Sequence, residues 1–191
     1  TTGNDQDNTG LFIGQSPGTG GSVRHYGLEY EGTVRFNNGN RIFADGFTQD
    51  DWKLGTWRNT AGASYGEYEF FVDGVSQSQV SSNNSGNIPG TSDDLFYIGA
   101  GLGTGTGFLE DRYFNGEIAE VIAYHYELND AQRVIVENYL ASKFHPVFTI
   151  AADHYRFDEH FGHEVAGIGR LDLANFHTTS QSGGVIRFSN A

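Results

Sequence analysis

Two acidic segments have residue types and spacing that suit calcium. The segment "DQDNTG" places Asp5 and Asp7 at alternate positions before a threonine and a glycine, as at the start of a calcium-binding loop. The twelfth position of that loop is Ser16 rather than the bidentate glutamate of an EF-hand. Asp93 and Asp94 form a second acidic pair beside a long polar loop. We expect these four carboxylates to contribute to a partial calcium site, and solvated turns are the alternative.

Four aromatic residues are candidates for sugar binding. Tyr26, Tyr30, Trp52 and Trp57 lie within one third of the chain, with Asp and Asn residues among them. Aromatic faces can stack on sugar rings while neighbouring polar groups bind the hydroxyls. The alternative is that these side chains pack in the core, which is the commoner role of large aromatics.

A histidine-rich stretch, "DHYRFDEHFGHE", contains residues that can bind a transition metal. It includes His154, His160 and His163, but no H-E-x-x-H spacing. A polar strand-turn-strand segment is the interpretation that its pattern favours.

The composition excludes several classes of partner. The 191 residues include 24 Asp and Glu against 11 Lys and Arg, which gives a formal charge of −13. Nucleic acids and anionic lipids require clustered Lys and Arg, so neither is expected as a partner. The chain has no cysteine, which excludes disulfides and thiolate chemistry. No apolar run approaches the length of about 18 residues that a membrane span needs, so membrane insertion is not expected.

The elements that must position these residues are mostly short strands. "LFIG", "VRHYGLEYEGTVRFNN" and "LFYIGAG" predict strands, and Asn38-Gly39 predicts a hairpin turn. "YGEYEFFVDGVSQSQV" predicts a hairpin with Asp73-Gly74 at its turn. The regular spacing of turn signals predicts a sandwich of short strands.

One helix interrupts this pattern. "FNGEIAEVIAYHYEL" predicts a strand near the core, and a helix follows over residues 130–143. Asn129 is its predicted N-cap, and Gln132 completes a capping box. The expected apolar face consists of Ile135, Val136, Tyr139 and Leu140, while Glu137 and Asn138 fall outside it.

The chain after Pro146 is expected to be rich in strands. "FTIAA", "HYRFDE", "EVAGIGRL" and "GVIRFSNA" are the candidates. We therefore predict two parts: a β-sandwich over residues 1–146, and a β-rich extension over residues 147–191 that is incomplete or packs on the sandwich.

A family resemblance joins several of these pieces. "YEFFVDGV", "LFYIGAG" and "FNGEIAEVIAYHYELNDAQRVIVENYLASKF" occur in this order between Tyr68 and Phe144. The combination resembles the second half of a laminin-G-like, concanavalin A-like domain of large secreted bacterial surface proteins. "EVAGIGRLD" also resembles a segment that often follows such domains. The resemblance implies that the helix closes the sandwich after its last strand, and that calcium is often held at a loop end.

Hydrolysis is not favoured by the same resemblance. Glucanases of this fold carry E-x-D-x-E on one strand, which this sequence lacks. Glu117 and Glu120 lie three residues apart, so on a strand they would point to opposite faces. No G-x-S-x-G motif is present.

The predicted fold is all-β: a two-sheet antiparallel jelly-roll sandwich of concanavalin A-like type with one short helix late in the chain and a β-rich tail. The predicted function is a non-catalytic extracellular or cell-surface adhesion module of a bacterial surface or secreted protein, which binds a glycan or a protein such as a surface glycoprotein, assisted by calcium. One alternative is a structural subunit of a surface or filamentous assembly, and another is a polysaccharide hydrolase or lyase.

The structural alternative rests on the sheet edges. The resemblance begins after the usual first strands, and "GVIRFSNA" has no evident neighbour. Uncovered edge strands accept strands from elsewhere. Copies of the same chain or other parts of a larger polypeptide would then complete the sheets.

Overall fold

The computed structural model divides the chain into two compact units. The first unit contains residues 1–50, 59–68 and 77–123, and the second contains residues 51–58, 69–76 and 124–191. The structure describes residues 13–16, 24–29, 33–36, 41–43, 51–58, 69–81, 95–102, 108–113, 116–155, 160, 167–181 and 187–189. All described strand pairs are antiparallel, and one helix lies among the described residues.

The first unit is built on a six-stranded sheet in the order β8-β4-β3-β2-β1-β9. Its strands are β1 (Ile13–Ser16), β2 (Arg24–Glu29), β3 (Thr33–Phe36), β4 (Arg41–Phe43), β8 (Gln79–Ser81) and β9 (Leu95–Ile98). The strands predicted from "LFIG" and "VRHYGLEYEGTVRFNN" are confirmed. β3 and β4 pair with Phe36 opposite Arg41, as expected for a return at Asn38-Gly39, although that turn lies outside the described residues.

The segment "LFYIGAG" forms two strands rather than the single predicted one. Gly99 separates β9 from β10 (Ala100–Leu102), which pairs with β11 (Phe108–Tyr113). The φ angle of Gly99 is +76°, a conformation that glycine adopts without a steric penalty. The chain therefore leaves the six-stranded sheet here and enters a two-stranded one.

The strand predicted within "FNGEIAEVIAYHYEL" is wrong in its position. Regular strand structure ends at Tyr113 of β11, and residues 116–128 form no ladder with any described strand. On a half-buried strand every second residue is apolar. In this segment the apolar residues are instead spaced by three positions and then by one, at Ile118, Val121 and Ile122. Ile122 is correspondingly 39% exposed.

The second unit contains a three-stranded sheet in the order β5-β6-β7. These strands are β5 (Gly55–Arg58), β6 (Glu69–Val72) and β7 (Val75–Ser76). The predicted turn between β6 and β7 is confirmed, because Asp73 and Gly74 both have positive φ angles, 49° and 77°, as a type I′ turn requires. Phe70 and Phe71 of β6 are fully or almost fully buried and form part of the core of this unit.

The helix α1 (Asp130–Lys143) has the predicted bounds. Its capping box is confirmed: the Asn129 side chain accepts from Gln132 N at 3.0 Å, and the Gln132 side chain accepts from Asn129 N at 3.0 Å. Both bonds satisfy backbone groups that a helix end leaves without an intrahelical partner.

The predicted buried face of α1 is wrong for two residues. Glu137 and Asn138, which the sequence placed outside the apolar face, are 1% and 7% exposed. Leu140 is buried as expected, whereas Ile135, Val136 and Tyr139 are only partly buried. The physical reason is that both polar side chains find hydrogen-bond partners on other elements of the unit, which permits their burial.

Asn138 ties α1 to the chain that follows Pro146. Its amide nitrogen donates to the carbonyl oxygen of Ala152 at 2.7 Å, and its carbonyl oxygen accepts from the backbone nitrogens of His154 and Tyr155 at 2.7 and 3.2 Å. The predicted strand "FTIAA" does not form, and residues 148–155 contain no strand, yet Ile150 is buried at 7% exposure. This part of the tail is thus integrated into the same unit as the helix. The division at residue 146 into two domains stays a prediction.

The rest of the described tail forms two short hairpins. These pair β12 (Gly169–Arg170) with β13 (Phe176–His177), and β14 (Thr179–Gln181) with β15 (Arg187–Ser189). In the described part of the chain no helix has the length and apolarity that crossing a membrane demands. The completion of the sheets by strands from elsewhere stays a prediction.

Candidate binding surface

The four predicted calcium ligands cannot be placed. Asp5, Asp7, Asp93 and Asp94 all lie outside the described residues. In the histidine-rich stretch, the description includes His154 and His160 but not His163. Within the part of the chain that the structure describes, no three His, Cys, Asp or Glu side chains are grouped so as to hold a metal ion.

The predicted sugar-binding aromatics are distributed over both units. Tyr26 lies on β2 in the first unit, and Tyr30 is outside the described residues. Trp52, in the second unit, is 38% exposed. Trp57 of β5 is partly buried and packs on Phe70, with ring centroids 5.4 Å apart. Trp57 therefore packs on a core residue, as expected if these aromatic side chains belong to the core. The role of all four residues in sugar binding stays a prediction.

Arg58, at the end of β5, is a centre of ion pairs that the sequence did not reveal. Its Nε lies 2.6 Å from Oε2 of Glu69, the residue opposite it on β6. Its Nη1 donates to Oδ1 of Asp130 at 2.7 Å and to the carbonyl oxygen of Leu128 at 3.2 Å. Glu127 approaches the same Nε at 3.9 Å. One side chain therefore fixes the chain just before α1 against the end of the three-stranded sheet.

The charges around Arg58 are not equally open to solvent. The side chain of Arg58 is 13% exposed, whereas those of Glu69, Glu127 and Asp130 are 47%, 42% and 38% exposed. Burial lowers the pKa of Arg58, but hydrogen bonds and charges from Glu69 and Asp130 outweigh it and leave the pKa above its ordinary value. In this cluster the three carboxylates are partly exposed to solvent, whereas the guanidinium group is largely covered.

Three exposed aromatic rings directly precede Glu127, a member of this cluster, in the sequence. We call Tyr124, His125 and Tyr126 the aromatic surface. Tyr124 and Tyr126 are 45% and 52% exposed, and their ring centroids lie 6.0 Å apart at an interplanar angle of 63°. His125 meets Tyr126 edge to face at 4.9 Å and 86°. These contacts hold the rings at defined angles to one another while leaving much of their area open.

The aromatic surface combines apolar ring faces with groups that form hydrogen bonds. Tyrosine combines an apolar ring with a hydroxyl group that donates and accepts hydrogen bonds. Burial, and then the neighbouring Tyr126, raise the pKa of Tyr124, so its hydroxyl group stays protonated at neutral pH. The side chain of the adjacent Glu127 is 42% exposed and places a carboxylate beside these rings.

Glu117 and Glu120 lie on an irregular segment rather than on the predicted strand, so strand alternation does not place them on opposite faces. Glu69 and Glu127 approach one another at Arg58, but both interact with the same guanidinium group, as in an ion-pair cluster. The described residues therefore supply no separate argument for a hydrolytic carboxylate pair.

Sequence reasoning missed the aromatic surface because it assigned these residues to a buried strand. A signal was present in the sequence, because "YHYE" contains three consecutive aromatic rings before an acid. On a half-buried strand, alternation would bury at least one of these rings and expose at least one other. Arg58 offered no such signal, because its partners are 11 to 72 residues away in sequence.

Comparison with known families identifies the class of protein. Residues 1–132 match the laminin-G model of the concanavalin A-like lectin/glucanases superfamily, which is more than half of the chain, so the chain belongs to this superfamily. The match begins well before Tyr68, where the resemblance noted in the sequence starts, and ends within α1. Neither the curated proteins nor the solved structures give a significant match to this chain.

Membership of the superfamily implies a β-sandwich, in agreement with the antiparallel sheets and the single described helix. The superfamily includes both lectins and glucanases, so its members either bind or hydrolyse their ligands.

Proposed function

We propose that this chain is a non-catalytic, extracellular glycan-binding module, with the aromatic surface as its binding site. The observation that carries the proposal is the exposure of Tyr124 and Tyr126 at fixed mutual geometry in a member of a lectin/glucanase superfamily. Exposed aromatics that are positioned but not covered are a common feature of recognition surfaces.

The surroundings of the aromatic surface support a binding role. Its rings contact one another, and Arg58 fixes the chain at Leu128 and Asp130 just after them, so part of the order that binding requires is already present. Binding to a preorganised surface costs less conformational entropy than binding to a mobile one. The apolar ring faces and the hydroxyl groups of the two tyrosines together match a sugar, which has an apolar face and a rim of polar groups.

The absence of catalysis is part of the proposal. It is supported by the lack of the E-x-D-x-E pattern in the sequence and by the shared guanidinium partner of Glu69 and Glu127. A screen for release of reducing ends from a set of polysaccharides tests it directly. Release of reducing ends that is lost in Glu69→Gln or Glu127→Gln would show that the chain is a hydrolase.

Binding is tested on a panel of immobilised glycans, with calcium and with a chelator. We expect Tyr126→Ala to weaken binding about tenfold or more, since a lost contact of 1.4 kcal/mol corresponds to a factor of ten. Leu173→Ala is the matched control, because Leu173 is an apolar side chain of the same unit with 82% exposure and lies outside the aromatic surface.

Trp52→Ala distinguishes a binding site on the aromatic surface from a binding site at the residues predicted from the sequence. Trp52 is exposed near the other end of β5, where the adjacent Lys53 pairs with Asp73 at 3.1 Å. Loss of binding in Trp52→Ala with full binding in Tyr126→Ala would move the site to the sequence-predicted residues. Full binding in both variants would contradict the site proposed here.

A further inference from the structure

The two tyrosine rings of the aromatic surface do not share a plane. The ring planes of Tyr124 and Tyr126 are inclined by 63°, and their centroids lie 6.0 Å apart. Aromatic pairs favour such edge-to-face arrangements, because the positive edge of one ring meets the negative face of the other. His125 contacts Tyr126 at 4.9 Å and 86°, which further restricts the orientation of this ring. The inclination is therefore supported by contacts within the aromatic surface itself.

Both rings are open enough to stack on a ligand, and each is also partly covered by protein. Tyr124 and Tyr126 are 45% and 52% exposed. The distance between their centroids is comparable to the length of one sugar residue in a chain, so two successive sugars can reach the two rings. A chain that stacks on both rings must present its sugars at the angle at which the rings lie.

This requirement distinguishes glucan chains by their shape. A sugar stacks on an aromatic side chain with its ring nearly parallel to the aromatic plane. In β-1,4-linked glucans successive sugar rings are nearly parallel and form a flat ribbon, which can stack on one of the two tyrosines but not on both. In α-1,4- and β-1,3-linked glucans the chain curves, so successive sugars are inclined and can stack on both. A curved chain thus gains one stacking contact that a flat chain lacks.

We propose that the aromatic surface selects curved glucan chains over flat ones, because Tyr124 and Tyr126 stack on two successive, mutually inclined sugars. The inference rests on the proposed glycan-binding function and adds the class of ligand. Glucans are the class chosen because the superfamily includes glucanases. A neutral chain also avoids repulsion by the formal charge of −13. The selectivity is the difference in affinity between two stacking contacts and one.

The test compares three soluble probes by isothermal titration calorimetry on the full chain. They are maltohexaose, which is α-1,4-linked, laminarihexaose, which is β-1,3-linked, and cellohexaose, which is β-1,4-linked. All three consist of six glucose residues and carry no charge, so they differ in linkage and shape alone. We expect both curved hexamers to bind about tenfold or more tightly than the flat one.

Three variants assign the preference to the pair of rings. Tyr126→Ala leaves a single ring, which cannot distinguish inclined from parallel sugars. The curved hexamers should therefore lose about tenfold in affinity, while cellohexaose can still stack on Tyr124, so the three affinities should become similar. Tyr126→Phe retains the ring without its hydroxyl group and should retain the preference. Leu173→Ala, at a side chain that is 82% exposed and outside the aromatic surface, should change nothing. Thermal melts verify that each variant is folded.

The outcomes separate this inference from the proposed function. Cellohexaose that binds wild-type protein as tightly as the curved hexamers would overturn the shape preference and leave glycan binding intact. Laminarihexaose that binds as weakly as cellohexaose, with tight binding of maltohexaose, would assign the preference to anomeric configuration and also overturn it. A preference that persists in folded Tyr126→Ala would overturn the role of the ring pair.

The glycan panel distinguishes the two proposals. Binding of a panel glycan through Tyr126, without binding of any of the three hexamers, would overturn the glucan inference alone. Failure of the three hexamers and of every glycan on the panel would overturn both proposals.

Discussion

The hydroxyl group of Thr56 donates a hydrogen bond of 3.1 Å to Oε1 of Glu137, which joins β5 to α1 across 81 residues of sequence. The same carboxylate accepts two hydrogen bonds from Arg133, one turn earlier on the helix. Its Oε2 would lie 3.3 Å from a Cβ atom at Gly74, so the glycine of the β6–β7 turn leaves room for it. A charged residue is thus buried where helix, strand and turn meet.

We predict that Glu137→Leu lowers the free energy of unfolding by about 3–5 kcal/mol, because it removes the carboxylate that Arg133 contacts at 2.7 Å and leaves only Asp130, at 3.8 Å, to compensate this largely buried guanidinium group. Urea denaturation measures the loss. The double variant with Arg133→Met removes both charges and should recover much of it. A double variant as unstable as Glu137→Leu would contradict the buried-charge explanation.

Asn138→Leu should destabilise the unit by about 1–3 kcal/mol, because the amide of Asn138 satisfies backbone groups of Ala152 and His154. Faster hydrogen exchange at the amides of His154 and Tyr155 would show where the loss occurs. Asn138→Asp retains the oxygen that accepts from His154 and Tyr155 but loses the donor to Ala152, so slow exchange at the two amides in this variant would assign their protection to the accepting oxygen. If exchange at both amides is unchanged in Asn138→Leu, the side chain does not hold this segment.

Leu140→Ala is expected to cost about 2–5 kcal/mol, since Leu140 is 9% exposed and its truncation leaves a cavity. The matched variant Leu173→Ala removes the same atoms from a side chain that is 82% exposed, and should change stability by less than about 0.5 kcal/mol. Thermal unfolding compares the two. Similar melting temperatures for both variants would show that α1 is not packed as described.

The carboxyl group of Asp172 should titrate below its ordinary pKa. The side chain of Asn175 donates to Oδ2 at 2.8 Å, and the backbone nitrogens of Asn175 and Ala174 donate to Oδ1 at 2.8 and 2.7 Å; all three lower the pKa. Because the folded pKa is the lower one, this stabilisation is complete above the unfolded pKa. It disappears as the pH falls through the folded pKa. A titration followed by NMR measures it, with the urea-unfolded chain as reference, and equal values in both states would refute the turn.

Calcium, if it binds at Asp5, Asp7, Asp93 and Asp94, should raise the melting temperature by mass action, because a ligand of the folded state shifts the unfolding equilibrium. Thermal melts in calcium and in chelator provide the comparison, and magnesium serves as the control cation. Identical melts, together with no calcium in a metal analysis of the purified protein, would remove calcium from the description of this chain.

Local features were determined by the sequence alone. The bounds of α1 follow from Asn129, Gln132 and the residues between them, since a capping box acts over a single turn. The β6–β7 hairpin follows from Asp73-Gly74, because few residue pairs accept two successive positive φ angles. Both signals depend on neighbours in sequence, and both predictions were confirmed.

The tertiary structure decided which polar residues are buried and which aromatics are exposed. Glu137 and Asn138 read as solvent-facing because their partners, Thr56 and the segment around Ala152, are 81 and 14 residues away. The aromatic surface was hidden for the same reason. Whether Tyr124 and Tyr126 pack in a sheet or remain open depends on whether another strand pairs with them, and periodicity within a segment does not encode that pairing.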